Sequence, residues 1–74
     1  MAIHSPLCEK YLAELSTEPT GSVEFGMASI IRRLSEPRAF GYLTTVILDD
    51  QGSPAADIAA HIWFLAAAAE EASA

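Results

Sequence analysis

The sequence has few of the features that mark specialised classes of protein. Its one cysteine cannot form an internal disulfide, which argues against a disulfide-stabilised secreted fold and for a reducing compartment. It has only four basic residues against ten acidic ones, a net charge of −6. Proteins that grip phosphate backbones carry clustered lysine and arginine, so we expect no direct contact with nucleic acid.

Long hydrophobic runs are also lacking. The longest uncharged apolar stretch, residues 58–69, is twelve residues long and contains His61, whereas a membrane-spanning helix needs about 20 apolar residues. Residues 1–7 lack the basic start and apolar centre of a secretory signal. We therefore expect a cytoplasmic protein with no membrane partner.

The 74 residues are nevertheless 51% apolar and only 19% charged, which is unlike a disordered acidic tail and predicts a single helical domain over residues 1–74. Apolar side chains recur at helical spacing over residues 6–16, 23–34 and 54 to about 72, each segment following a serine that suits an N-cap. The three apolar stripes are Leu7, Cys8, Tyr11, Leu12 and Leu15; Val23, Met27, Ile30, Ile31 and Leu34; and Ile58, Ile62, Leu65 and Ala69.

The segment that follows Ser35 is ambiguous. Ala39, Phe40, Leu43, Val46 and Ile47 form a helical stripe, but residues 44–47 are all β-branched and residues 49–52 resemble a turn after a strand. A strand needs a partner, and the sequence offers no second strong candidate. We favour an all-α fold, a compact bundle of four short helices. The alternative is an α+β fold with a strand over residues 41–48.

The predicted helices carry more large apolar side chains than a domain of this size can bury. Trp63 and Phe64 project to either side of the stripe of the last helix, and Phe25 lies opposite the stripe of the second and is expected to be exposed. We expect a homodimer built on the last helix; the alternative is a compact monomer whose core takes up the aromatic rings. The predicted partner interface comprises Trp63, Phe64, Phe25, Asp57, His61, Glu70 and Glu71.

Motifs for catalysis or cofactor binding are absent from the sequence. Asp57 and His61 stand four residues apart on one helix, but no nucleophile is close in sequence, so an ion pair or a core-edge histidine is the favoured interpretation. His4, Cys8 and His61 are conceivable metal ligands, yet Cys8 falls on an apolar stripe, which favours a buried structural cysteine. We expect no enzyme activity, no cofactor and no metal.

The charges are unevenly spread. Arg32, Arg33 and Arg38 form the one basic cluster, and Arg32 and Arg33 are expected to stabilise the end of their helix. Residues 49–74 carry five acidic residues and no lysine or arginine. These properties predict an interaction module, an inhibitor or adaptor that docks on a larger protein or nucleoprotein complex. Phage-borne inhibitors such as anti-CRISPR proteins offer an analogy of size and charge only. The alternative is a structural homo-oligomer subunit without a separate target.

Overall fold

Four α-helices account for most of the chain. The computed structural model describes residues 3–73, so Met1, Ala2 and Ala74 of the predicted domain lie outside the described residues. The helices are α1 (Pro6–Leu15), α2 (Val23–Arg33), α3 (Glu36–Asp49) and α4 (Pro54–Ser73). No strand occurs within residues 3–73, which confirms the predicted all-α bundle. Helix α4, with 20 residues, is the longest of the four.

A serine stands at the start of each helix, where backbone amides lack partners within the helix. Three serine hydroxyl groups accept a hydrogen bond from a first-turn amide: Cys8 donates to Ser5 (3.3 Å), Phe25 to Ser22 (3.2 Å) and Ala56 to Ser53 (3.1 Å). Ser35 occupies the N-cap of α3 without a side-chain bond to that helix. Local capping therefore accounts for the agreement between predicted and observed helix starts.

The alternative strand over residues 41–48 is wrong, because this segment lies within α3. Its two threonines tolerate the helix since each hydroxyl finds an acceptor one turn back. Thr44 Oγ1 donates to the carbonyl oxygen of Phe40 at 2.9 Å, and Thr45 Oγ1 donates to that of Gly41 at 3.0 Å. A helix also satisfies its own backbone, whereas a lone strand would leave amides and carbonyls unpaired.

The core lies where α4 packs against the other three helices. The large side chains that are fully buried are Ile3, Leu12, Ile31, Leu43, Ile62 and Cys8. Three members of the predicted stripes are nevertheless exposed: Leu7 at 43%, Val23 at 46% and Ile30 at 41%. In so small a bundle each helix has few neighbours, so the centre of a stripe is covered while its edges remain in water.

The segment before α1 also contributes to the core, which the sequence patterns do not indicate. Ile3 is fully buried, and its backbone amide donates a hydrogen bond to Glu36 Oε1 at 2.7 Å. The ring nitrogen Nε2 of His4 lies 3.1 Å from the carbonyl oxygen of Leu34. These contacts join the start of the described chain to the junction between α2 and α3.

Candidate protein-interaction site

An apolar groove of about 440 Å³ runs between α3 and α4. Its walls are Thr44, Ile47 and Leu48 from α3 and Ala60, Trp63, Phe64 and Ala67 from α4. The only hydroxyl group among them is that of Thr44, and it is already bonded to the backbone of its own helix. The groove follows from the composition of α4, which is apolar nearly all round, so that its core face and one flank cannot both be covered.

Two side chains on the walls of the groove are the most exposed large apolar residues of the described chain. Phe64 is 68% exposed and Leu48 is 62% exposed. Trp63 is more buried than its neighbour Phe64: it is half-buried, and its ring packs edge-on against that of Phe40. The two ring centroids are 5.0 Å apart and the ring planes meet at 74°. Trp63 therefore belongs to the packing between α3 and α4 as well as to the groove.

Acidic residues of α4 lie about two helical turns, roughly 10 Å, to either side of the exposed ring of Phe64 along the helix. Asp57 precedes Phe64 by seven residues and Glu71 follows it by seven, and both are exposed. Seven residues are almost two full turns, so the three side chains share one stripe of the helix surface. Glu70, also exposed, lies about 120° round the helix from Phe64 and so is not on this stripe. The structure thus brings Asp57, Phe64 and Glu71 together on one face.

His61 and Phe25 do not line the groove. The imidazole of His61 lies against the ring of Tyr11 in α1, with centroids 4.4 Å apart and planes at 45°. No hydrogen bond or ion pair joins it to Asp57 among residues 3–73, so the sequence spacing of four does not produce a coupled pair. Phe25 was expected to be exposed but is half-buried, because α2 packs against both α1 and α4.

Cys8 is a buried structural thiol, as its place on the apolar stripe predicts. It is 1% exposed, and its Sγ–H group points to the carbonyl oxygen of Ile62 at 3.9 Å. Burial raises the pKa of this thiol above its ordinary value, which keeps it protonated and weakly nucleophilic. Within residues 3–73, no group of three or more histidine, cysteine or acidic side chains is arranged to hold a metal ion.

Arg32 joins two helices, beyond the predicted role at the end of α2. Its guanidinium donates a hydrogen bond to Ser16 Oγ at 3.0 Å and lies 3.6 Å from Glu9 Oε2 of α1. Arg33 and Arg38 are exposed. This link holds Arg32 against α1.

A second hollow, of about 510 Å³, lies between the start of α1 and the end of α4. It is lined by Ser5, Pro6, Leu7, Lys10, Ala69 and Ala72. The sequence analysis missed this hollow, because no pattern within a single helix indicates that these two helix ends meet. Its lining is more polar than that of the groove, and it contains neither of the two most exposed apolar side chains.

The groove between α3 and α4 is therefore the best-defined candidate site on the described part of the chain. Among residues 3–73, no helix combines the length and apolar character that crossing a bilayer requires. Comparisons with protein-family models, curated proteins and solved structures find no match to this chain.

Proposed function

We propose that this protein is a small non-enzymatic interaction module that docks through the α3/α4 groove on a larger protein or nucleoprotein complex. The observation that carries this proposal is the exposure of Phe64 (68%) and Leu48 (62%) on the walls of an apolar groove. Contiguous exposed apolar surface on a small domain is typical of an interaction site.

Covering these two side chains would supply a useful part of the binding free energy. Full burial of a leucine or phenylalanine side chain is worth roughly 1.5–3 kcal/mol. With Phe64 and Leu48 at 68% and 62% exposure, a partner that covers both gains about 2–4 kcal/mol from them. Trp63 is already held against Phe40, so that wall of the groove needs little ordering when a partner binds.

The role that we propose within such a complex is that of an inhibitor or adaptor. A net charge of −6 favours a basic target surface, such as one that otherwise holds nucleic acid. Phage-borne inhibitors of the anti-CRISPR kind have comparable size and charge, and the analogy is limited to those two properties. A cytoplasmic setting accompanies this proposal, because Cys8 is a free thiol.

The test is affinity capture from a lysate of the organism of origin, with the wild-type chain and two variants. Phe64→Ala removes the most exposed ring of the groove, whereas Ile30→Ala removes a 41% exposed apolar side chain of α2 that does not line it. We expect the wild type and Ile30→Ala to retain a stoichiometric complex that can be rebuilt from purified components, and Phe64→Ala to lose it. Circular dichroism checks that both variants stay folded.

Two results would contradict the proposal. A target retained equally by Phe64→Ala would mean that docking does not use the groove. Recovery of the protein alone, together with sedimentation of the wild type as a dimer that Phe64→Ala dissociates, would instead favour the structural homo-oligomer.

A further inference from the structure

We propose that the occupant of the α3/α4 groove is a cationic amphipathic helix of the partner protein. The inference rests on the proposed function and adds to it the chemistry of the segment that is bound. It follows from two properties of the same face: an apolar centre and acidic ends.

The apolar lining that α4 contributes runs from Ala60 to Ala67, which is about 10 Å or two helical turns. Asp57 and Glu71 flank Phe64 on one stripe of α4 and are fourteen residues apart. At 1.5 Å per residue this separation is about 21 Å, or four helical turns. A helix laid along the groove would present apolar side chains at i, i+3, i+4 and i+7 to Phe64 and Leu48, which is a common mode of peptide recognition.

All the charged residues that α4 contributes are acidic, because this helix contains no lysine or arginine between Pro54 and Ser73. At the end formed by the α3–α4 turn, Asp57 is joined by Asp49 and Asp50, all three of them exposed. Lysine or arginine at both ends of a bound helix would therefore meet carboxylates, while its apolar side chains meet the groove.

The one basic residue of α3 does not lie on the stripe that borders the groove. Arg38 lies in the first turn of α3, ten residues before Leu48. At 100° per residue the two side chains are separated by about 80° round the helix, so Arg38 is offset from the stripe that borders the groove. Among the charged side chains of α3 and α4, the acidic ends are therefore the main charges that an incoming helix encounters.

The same charges disfavour a second copy of this chain as the occupant. A two-fold interface brings the same patch of both copies together. The end bearing Asp57 would then face the end bearing Asp57 or Glu71 of the other copy, and either arrangement sets carboxylates against carboxylates. Each copy also carries a net charge of −6.

The test is selection from a displayed library of helical peptides of about 18 residues, a length that spans the groove. Leucine, isoleucine or phenylalanine fills one apolar stripe, and every other position is either lysine or glutamate. We expect wild-type protein to enrich peptides with lysine at both ends of the stripe. Trp63 is the only tryptophan of the chain and lines the groove, so its fluorescence reports binding of each selected peptide in solution.

Matched variants separate the apolar and the charged parts of the recognition. Phe64→Ala is expected to weaken the selected peptides at least about tenfold, whereas Ile30→Ala leaves them unchanged. The double variant Asp57→Lys, Glu71→Lys is expected to weaken them by about tenfold and to remove most of the dependence on salt. Glu14→Lys with Glu18→Lys, which alters exposed acids away from the groove, is the control for net charge.

Several outcomes would overturn the inference. Enrichment of glutamate, equal use of lysine and glutamate, or failure to select any peptide would each show that the groove does not recognise a cationic helix. Equal losses in the two double variants would show that only net charge matters. If binding of a captured target requires Phe64 but not Asp57 and Glu71, the proposed interaction module is supported and the proposed cationic helix is contradicted. Dimerisation through Phe64 without a target would overturn both.

Discussion

The two long sides of α4 differ in how completely the rest of the chain covers them. On the side that meets α1, Ile62 is fully buried and the Cys8 thiol donates a weak hydrogen bond to the carbonyl oxygen of Ile62. The ring of Tyr11 lies against that of His61, which itself remains exposed. On the side that meets α3, Trp63 is half-buried and Phe64 remains 68% exposed. We call these the closed side and the open side of α4.

Residue size on α4 helps to explain the difference. The closed side is built on the small side chains Ala59 and Ala66, both 0% exposed, which allow neighbouring helices to approach closely. The open side carries two large rings in succession, of which only Trp63 has an aromatic partner, Phe40. Helix α4 packs more extensively against α3 than against α1, so the difference between the two sides lies in Phe64, which the α3 packing leaves available for binding.

Alanine substitution of one residue on each side of α4 should give the greatest difference in the free energy of unfolding. Ile62→Ala should lower the free energy of unfolding by about 2–5 kcal/mol, because it leaves a cavity in the core. Phe64→Ala should change it by about 0.5 kcal/mol or less, because the ring is 68% exposed. Urea unfolding followed by circular dichroism measures both. A similar decrease in the free energy of unfolding in both variants would mean that Phe64 on the open side also stabilises the fold.

Trp63 provides a second test, since it lies on the open side but packs against Phe40. Trp63→Ala should cost about 1–3 kcal/mol, less than a fully buried ring and more than Phe64→Ala. The same unfolding experiment applies, with Trp63→Phe as a variant that keeps an aromatic ring against Phe40 and should recover most of the loss. A cost no larger than that of Phe64→Ala would assign Trp63 to the binding surface alone.

The contact between Ile3 and Glu36 is expected to have a moderate effect. Glu36→Ala removes the acceptor of the Ile3 amide, which lies 2.7 Å away, and should cost about 1–2 kcal/mol. Glu36→Gln keeps an oxygen acceptor and is the matched control. Hydrogen exchange of the Ile3 amide is the direct measurement. Unchanged protection in Glu36→Ala would show that another group satisfies this amide.

The link between Arg32 and Glu9 should contribute less. The guanidinium and carboxylate are 39% and 45% exposed and 3.6 Å apart, so Arg32→Ala should cost below about 1 kcal/mol. Arg33→Ala is the control, because it removes the same favourable charge from the end of α2 without breaking the link, and it should cost less than Arg32→Ala. The difference between the two variants should shrink in about 0.5 M salt. A salt-independent difference would instead implicate the hydrogen bond to Ser16.

The smallest effect at neutral pH concerns the titration of Cys8. Burial raises the pKa of its thiol from an ordinary value of 9.0, so the folded chain holds this proton more firmly than the unfolded chain does. The stabilisation is therefore complete below about pH 9 and declines as the pH rises further. We expect wild-type stability to fall more steeply than that of Cys8→Ala above pH 9 in urea unfolding.

Burial also raises the pKa values of Tyr11 and Tyr42 from 10.0. Both tyrosines remain in Cys8→Ala, so their contribution to the alkaline loss of stability is common to the two proteins. Parallel curves for the wild type and Cys8→Ala between pH 7 and 10 would contradict the thiol contribution.

Most of the fold was predictable because its signals are local. The predicted bounds 6–16, 23–34 and 54 to about 72 differ from the observed helices by one residue at their ends. The β-branched run of α3 was the ambiguous case. The hydroxyl groups of its two threonines donate to backbone carbonyls one turn back, and residue spacing alone does not reveal these bonds.

The candidate site was predictable only in part. The exposure of Phe64 follows from its angle to the stripe of α4, but half-burial of Trp63 depends on Phe40, a residue of another helix. Leu48 and Thr44 were not assigned to the interface, because the register between α3 and α4 determines which of their residues meet. The burial of Ile3 was missed for the same reason, since its partner Glu36 is 33 residues away.

Residues 41–48 stayed open between helix and strand, but the sequence alone predicted where α1, α2 and α4 begin and which face of each is apolar. These properties arise within a few turns, from serine caps and the 3.6-residue period. Which apolar faces are covered became clear only from the packing of the helices. The packing places the ring of His61 against that of Tyr11 and leaves Phe64 on the wall of an open groove. Burial of a face depends on the side chains that neighbouring helices place against it, and the periodicity within one helix carries no information about those neighbours.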